Sequence, residues 1–167
     1  MIQPAGHQLA ELNVGRLSAP TDDPRVADFL AARGQVDGLG HRMPGFVWRL
    51  SDDEMDAAQT VPDGPLAHSR MTSTLSVCKD LARLEDFAWN TVHRPFCARK
   101  DEWHDAIGNG SLVLWRVPVG QRPTAAEGRV RWCLRAANGD SGQAIGWAGL
   151  KDAQVWKTHA CGQVAAE

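Results

Sequence analysis

An α+β fold is predicted for this chain, and three observations predict it. Segments with the two-residue alternation of strands are interleaved with segments whose apolar residues recur every three or four positions. Gly, Pro, Asn and Asp fall between these segments, where turns and helix caps need them. The order strand, helix, strand, strand, helix, strand is one that a single antiparallel sheet with helices on one face satisfies.

The first strand is His7 to Arg16, in which Leu9, Glu11 and Asn13 alternate with Ala10, Leu12 and Val14. Asp23 as cap and Pro24 at the first helical position then open a helix, with Val26, Phe29, Leu30 and Val36 as its apolar face and Gly38 and Gly40 as its end. Met43-Pro44-Gly45 is a turn into a second strand, Phe46 to Leu50, with Phe46, Trp48 and Leu50 expected on one face. Ser51 to His68, acidic and broken by Pro and Gly, is expected to be a loop, and Arg70 to Cys78 a third strand antiparallel to the second.

Asp80 can cap the next helix, whose stripe is Leu81, Leu84, Phe87, Ala88 and Val92. Pro95 interrupts it, and a further helical segment is expected from Pro95 to Ile107. Ser111 to Val119 is almost wholly apolar and reads as a strand buried on both faces, with Trp115 in the core. Pro123 begins a last amphipathic helix through Val130, Cys133 and Leu134, ending near Asn138-Gly139, and Ala144 to Ala148 offers a short strand. These elements make the split βαβ arrangement, a ferredoxin-like four-stranded antiparallel sheet over residues 7–139, with 140–167 as a C-terminal extension. The sheet face without helices needs cover, and a second copy of the chain, a homodimer, is the expected cover.

Composition narrows the function classes. The chain has 167 residues, 43% hydrophobic and 23% charged, the balance of an ordinary globular domain. A net charge of −2 and interspersed signs give no footing for nucleic acid or an anionic membrane. No run approaches the ~18 apolar residues of a membrane span, and Met1 to Gly6 shows no secretory signal, so a cytoplasmic protein is expected. Cys78, Cys97, Cys133 and Cys161 lie far apart, which fits neither a disulfide framework nor a structural zinc site; Cys97 and Cys133 are expected in or near the core. His159 and Cys161 are too few for a metal, and none is expected. The chain also lacks the glycine-rich nucleotide loops, G-x-S-x-G and H-E-x-x-H. Seven Trp, four Phe and no Tyr suggest an aromatic-lined space, although any single Trp is more often core.

The runs LAELNVGRLSAPTDDPRVADFLA, PGFVWRL, DEW and LVLWRVPVGQRPTAAEG, with the helix reaching His93, resemble the bacterial family of domain of unknown function 3291, in collinear order over roughly residues 7–137. The resemblance implies a dimeric α+β barrel, a superfamily that includes antibiotic-biosynthesis monooxygenases working without metal or flavin, haem-dependent enzymes, small-ring isomerases and plain binding proteins. Fold does not choose among these. The chain departs from the family pattern at Cys78, where a Trp is usual, and in its tail after Gly139.

The site candidates are polar or aromatic groups that such a fold turns toward a pocket. His93 matches a His common in the family and suits a general acid, base or haem ligand; a backbone-satisfied His is the equally weighted alternative. Asn13 could bond a substrate carbonyl or enolate, or a neighbouring loop, and Arg49 could steady negative charge or pair with Asp52. Trp48, Trp89, Trp103 and Cys78 would line the pocket, while His104, among charged helical neighbours, is expected at the surface. The leading expectation is a small-molecule tailoring enzyme without an organic cofactor: a monooxygenase, cyclase or isomerase acting on a hydrophobic, aromatic or polyketide-like substrate. The rivals are a haem protein with His93 as axial ligand, and a non-catalytic binding or resistance protein for a hydrophobic metabolite.

Overall fold

A computed structural model describes residues 3–59, 69–90, 99–107 and 110–150, apart from the side chains of 35–37 and 39. In chain order the elements are β1 (His7–Leu17), α1 (Pro24–Gly40), β2 (Phe46–Arg49), α2 (Asp52–Gln59), β3 (Met71–Cys78) and α3 (Leu81–Asn90). There follow α4 (Lys100–Trp103), β4 (His104–Asp105), β5 (Leu112–Pro118) and α5 (Ala125–Asn138), with a single 3₁₀ turn at Trp147–Gly149. The strands form one five-stranded antiparallel sheet, one strand more than the sequence predicts. β1 lies in its middle, with β3 and then β2 on one side, and β5 and β4 sharing the other. The fold is α+β and ferredoxin-like.

Residues directly opposite each other in a sheet share a face, so the register sorts every side chain. Ala10 opposes Val77 and Trp115, and Leu12 opposes Leu75 and Val113. With Val14 and Val117 these make a fully buried face, here termed the core face. The sequence predicts no helix over this face. Instead the chain covers it from within: Met55 of α2 and Trp132 of α5 are buried in the same cluster. Gly128 lets α5 lie close, since a Cβ there would stand 3.4 Å from both Leu12 and Trp115. Trp115, the expected core residue, is 1% exposed and donates its indole N–H to Glu127 Oε1 at 3.1 Å.

Several elements differ from expectation, each for a local reason. The stretch Asp52–Gln59 is a helix and not a loop. Ser51 caps it, Glu54 N donating to Ser51 Oγ at 3.3 Å and Ser51 N to Glu54 Oε2 at 3.1 Å, a reciprocal capping box. Phe46 and Trp48 do not share a face, because the register shifts between them: Phe46 opposes Cys78 and Trp48 opposes Val77. Of the expected helix from Pro95 to Ile107, α4 is one turn, and the chain becomes extended at His104. α5 buries Gly128 and Trp132, leaving Val130 64% exposed and Cys133 exposed rather than in the core. Beyond residue 139, Ile145 pairs with Leu114 through two backbone hydrogen bonds, and Ile145 and Leu150 join the apolar cluster around Leu9 and Leu114. No described helix is long and apolar enough to cross a membrane.

Candidate functional site

The second face of the sheet is built differently. Glu11 opposes Ser76, Asn13 opposes Thr74, and Gly15 opposes Thr72, so the middle of this face is a polar stripe two strands wide. Toward β5 it is bordered by Leu112 and Leu114. A face turned toward helices would normally carry apolar residues here. α1 and α3 do not close over the stripe, and a cleft of about 600 Å³ remains. That is a size common for small-molecule sites. Its floor includes Glu11, Asn13, Thr72 and Thr74; its walls include Phe29, Phe87, Trp89, Trp103 and Trp147. Asn13 is exposed although it lies mid-strand in a central strand.

His104 stands at one end of this floor. β4 pairs with the end of β1, His104 opposite Leu17, and the extended backbone at His104 turns its ring over the sheet. The ring lies on Gly15: a Cβ there would stand 2.6 Å from Cδ2, 2.8 Å from Nε2 and 3.1 Å from Thr72 Oγ1. Nδ1 lies 3.3 Å from the Lys100 carbonyl oxygen, which can only accept, so Nδ1 carries the proton. Nε2 of the neutral ring is then the lone-pair nitrogen. Phe29 meets the ring edge-on at 4.6 Å between centroids. Burial, reinforced by the nearby Lys100 charge, holds the imidazole below its ordinary pKa, against smaller opposing effects of the Lys100 carbonyl and of Asp101 and Asp105. At neutral pH His104 is an uncharged base.

Glu11 stands toward the other end. It accepts a hydrogen bond from Ser76 Oγ at 2.7 Å, and burial pushes its carboxyl above the usual range against the effect of that bond. Burial and the neighbouring Glu11 and Asp80 charges push the Cys78 thiol up in turn, so it stays protonated and is a poor nucleophile.

The structure gathers some of the expected site residues and disperses others. Asn13, Trp89 and Trp103 line the cleft. Trp48 does not: the β2 bulge sends it to the core face, where the Arg122 guanidinium lies 5.9 Å from its ring centre. Arg49 is bonded to Asp52, Nη2 to Oδ1 at 2.6 Å, an arrangement in which Asp52 also takes Arg33. Arg33 and Arg49 hold the Asp52 carboxyl below its usual range, outweighing the upward push of burial. Cys78 is packed among Leu9, Leu81 and Leu84 and does not reach the cleft lining. His93, with the haem reading that depends on it, lies outside the described residues, as do Cys97, His159 and Cys161. His104, Glu11 and the Thr72–Thr74–Ser76 stripe are the groups that sequence reasoning missed. Among the described residues no three His, Cys, Asp or Glu come together as a metal site.

A protein-family model described as Domain of unknown function (DUF3291) matches residues 8–161. The chain belongs to the DUF3291 family. The match runs past the resemblance read from the sequence and takes in Ile145 and Leu150, which the structure places in the core. No curated protein matches the chain, and no solved structure matches it.

Proposed function

We propose that the chain is a small-molecule tailoring enzyme that removes a proton from a hydrophobic, aromatic-bearing substrate and so drives an isomerisation or cyclisation. The observation that carries this reading is the neutral His104 imidazole, its lone-pair nitrogen over a polar floor in an aromatic-walled cleft. A general base works best when its pKa sits near or just below the working pH, and burial tunes His104 in that direction. The Asn13 amide and the Thr72 and Thr74 hydroxyls lie along the floor, where they can donate to an oxygen that gains negative charge as the proton leaves. Phe29, Trp89 and Trp103 supply flat apolar walls for a ring. Isomerisation and cyclisation require only that the proton be taken and returned, which these groups can do. The walls come from one chain, so the reading needs no partner subunit.

A surrogate substrate tests it. In 5-nitrobenzisoxazole, loss of the ring C–H proton to a base breaks the N–O bond and yields a nitrile and a coloured phenolate, with no other reactant. The protein is expected to accelerate this opening with a rate that rises as His104 loses its proton. His104→Ala is expected to reduce the acceleration by roughly 10²-fold or more, the usual worth of a positioned base. Equal rates in the folded variant and the unaltered protein would overturn the assignment.

A further inference from the structure

The acid–base reading uses His104 and the centre of the floor and leaves Glu11, at the other end, without a role. Glu11 is a carboxyl in a central strand whose hydrogen-bond partner is the Ser76 hydroxyl. Among the described residues no basic side chain is bonded to it. Arg116, opposite Leu9 on the same face, turns Nη1 to Gln3 Oε1 at 2.7 Å. Of the cations lining the cleft, Arg33 is bonded to Asp52 and Lys100 stands one turn before His104. Trp89 and Trp147 stand side by side in the cleft wall, 6.2 Å between ring centroids.

A half-buried carboxyl that lacks an opposite charge is costly to ionise there. A carboxylate without a cation is completed by a cation. Aromatic faces around a carboxylate are also the surroundings that ammonium ions prefer. We infer that the cleft takes an elongated aromatic amine, its ammonium group on the Glu11 carboxyl and its rings between the Phe29, Trp89 and Trp103 walls. This rests on the cleft being the small-molecule site, and it names the substrate class. Length follows from the strand: Glu11 and Gly15 are four residues apart on one face, roughly 13 Å. The ammonium group is therefore about that far from the proton that His104 removes, which a fused or linked pair of rings spans.

The probes are 2-(1-naphthyl)ethylamine and its neutral counterpart 2-(1-naphthyl)ethanol, compared by calorimetry at pH 7. The amine is expected to bind the unaltered protein roughly 10-fold or more tighter, the worth of one charge-assisted hydrogen bond. In Glu11→Gln, which keeps the shape and removes the charge, the preference is expected to fall to about 1 while the alcohol binds as before. Equal binding of both probes to the unaltered protein overturns the inference, whether or not the variant folds, and leaves the cleft reading standing. A preference that survives in folded Glu11→Gln also overturns it. Binding of neither probe overturns both. An amine preference in a protein that does not open 5-nitrobenzisoxazole supports the ammonium site while removing the catalytic role of His104.

Discussion

Gly15 is the position at which the arrangement of the cleft is most sharply exposed to test. Its backbone is ordinary extended strand, so alanine there meets no conformational obstacle. In a strand where space allowed, Gly→Ala would stabilise by about 0.4–1 kcal/mol, because the unfolded chain loses freedom. The structure reverses that sign. The new methyl would stand 2.6 Å from His104 Cδ2 and 2.8 Å from Nε2, well inside van der Waals contact. If the ring is held, overpacking costs about 1–3 kcal/mol. If the ring swings out, it loses the edge contact with Phe29, about 0.5–1.5 kcal/mol, and the hydrogen bond to Lys100, a further ~0.5–1.5 kcal/mol. Both routes arrive at about 1–3 kcal/mol of lost stability, a melting point lower by roughly 2–4 °C per kcal/mol. NMR titration of the His104 ring distinguishes them, since an expelled ring is rehydrated and its pKa returns upward toward the ordinary value. A Gly15→Ala protein that melts at or above the original temperature, with its His104 titration unmoved, would refute the placement of His104 on Gly15.

Three further outcomes follow from the same groups. Glu11→Gln is expected to raise stability at pH 7 by about 0.5–2 kcal/mol in chemical denaturation, because the folded carboxyl is held above its unfolded pKa and its ionisation opposes folding. That gain should vanish below about pH 4.5, where both states are protonated; a gain independent of pH would contradict it. His104 works in the opposite sense. Its folded pKa is lowered, so its contribution is complete above the unfolded value of 6.5 and is lost as pH falls through the lower folded one. Stability of His104→Gln should decline less over that window, and an identical decline would show that the ring is not buried. Ser51→Ala removes the capping box of α2 and is expected to cost about 0.5–2 kcal/mol in the same denaturation assay; no loss would mean that α2 does not depend on its cap.

Much of the fold was legible in the sequence because it rests on local signals. The alternation in β1, the Asp23-Pro24 start of α1, the Asp80 cap of α3 and the apolar run of β5 all stand where the sequence sets them. α2 was also legible, since Ser51 and Glu54 are spaced as a capping box, but Pro62, Gly64 and Pro65 give the same acidic stretch the composition of a loop. The β2 bulge was not legible, because nothing in Phe46 to Arg49 marks the extra residue that parts Phe46 from Trp48. The cleft was half legible. Asn13 stands out as a polar residue opposite an apolar face, yet Thr72 and Thr74 join it on the floor only through the pairing of β1 with β3. His104 was hidden by length: β4 pairs through two residues, too few for any period to register, so the ring was read onto a charged helix. The sheet face that the sequence leaves bare carries α2 and α5 of the same chain, whose packing there depends on Met55 and Trp132 rather than on a long apolar stripe.

The indole N–H resonances of the protein give the most direct measurement of the central claim, that the working surface is the polar face of the sheet. Trp89, Trp103 and Trp147 line the cleft, whereas Trp48, Trp115 and Trp132 belong to the core face. Titration with 2-(1-naphthyl)ethylamine is expected to move the first three indole signals and leave the second three in place. Movement of the core-face signals while the cleft signals stay fixed would contradict the account.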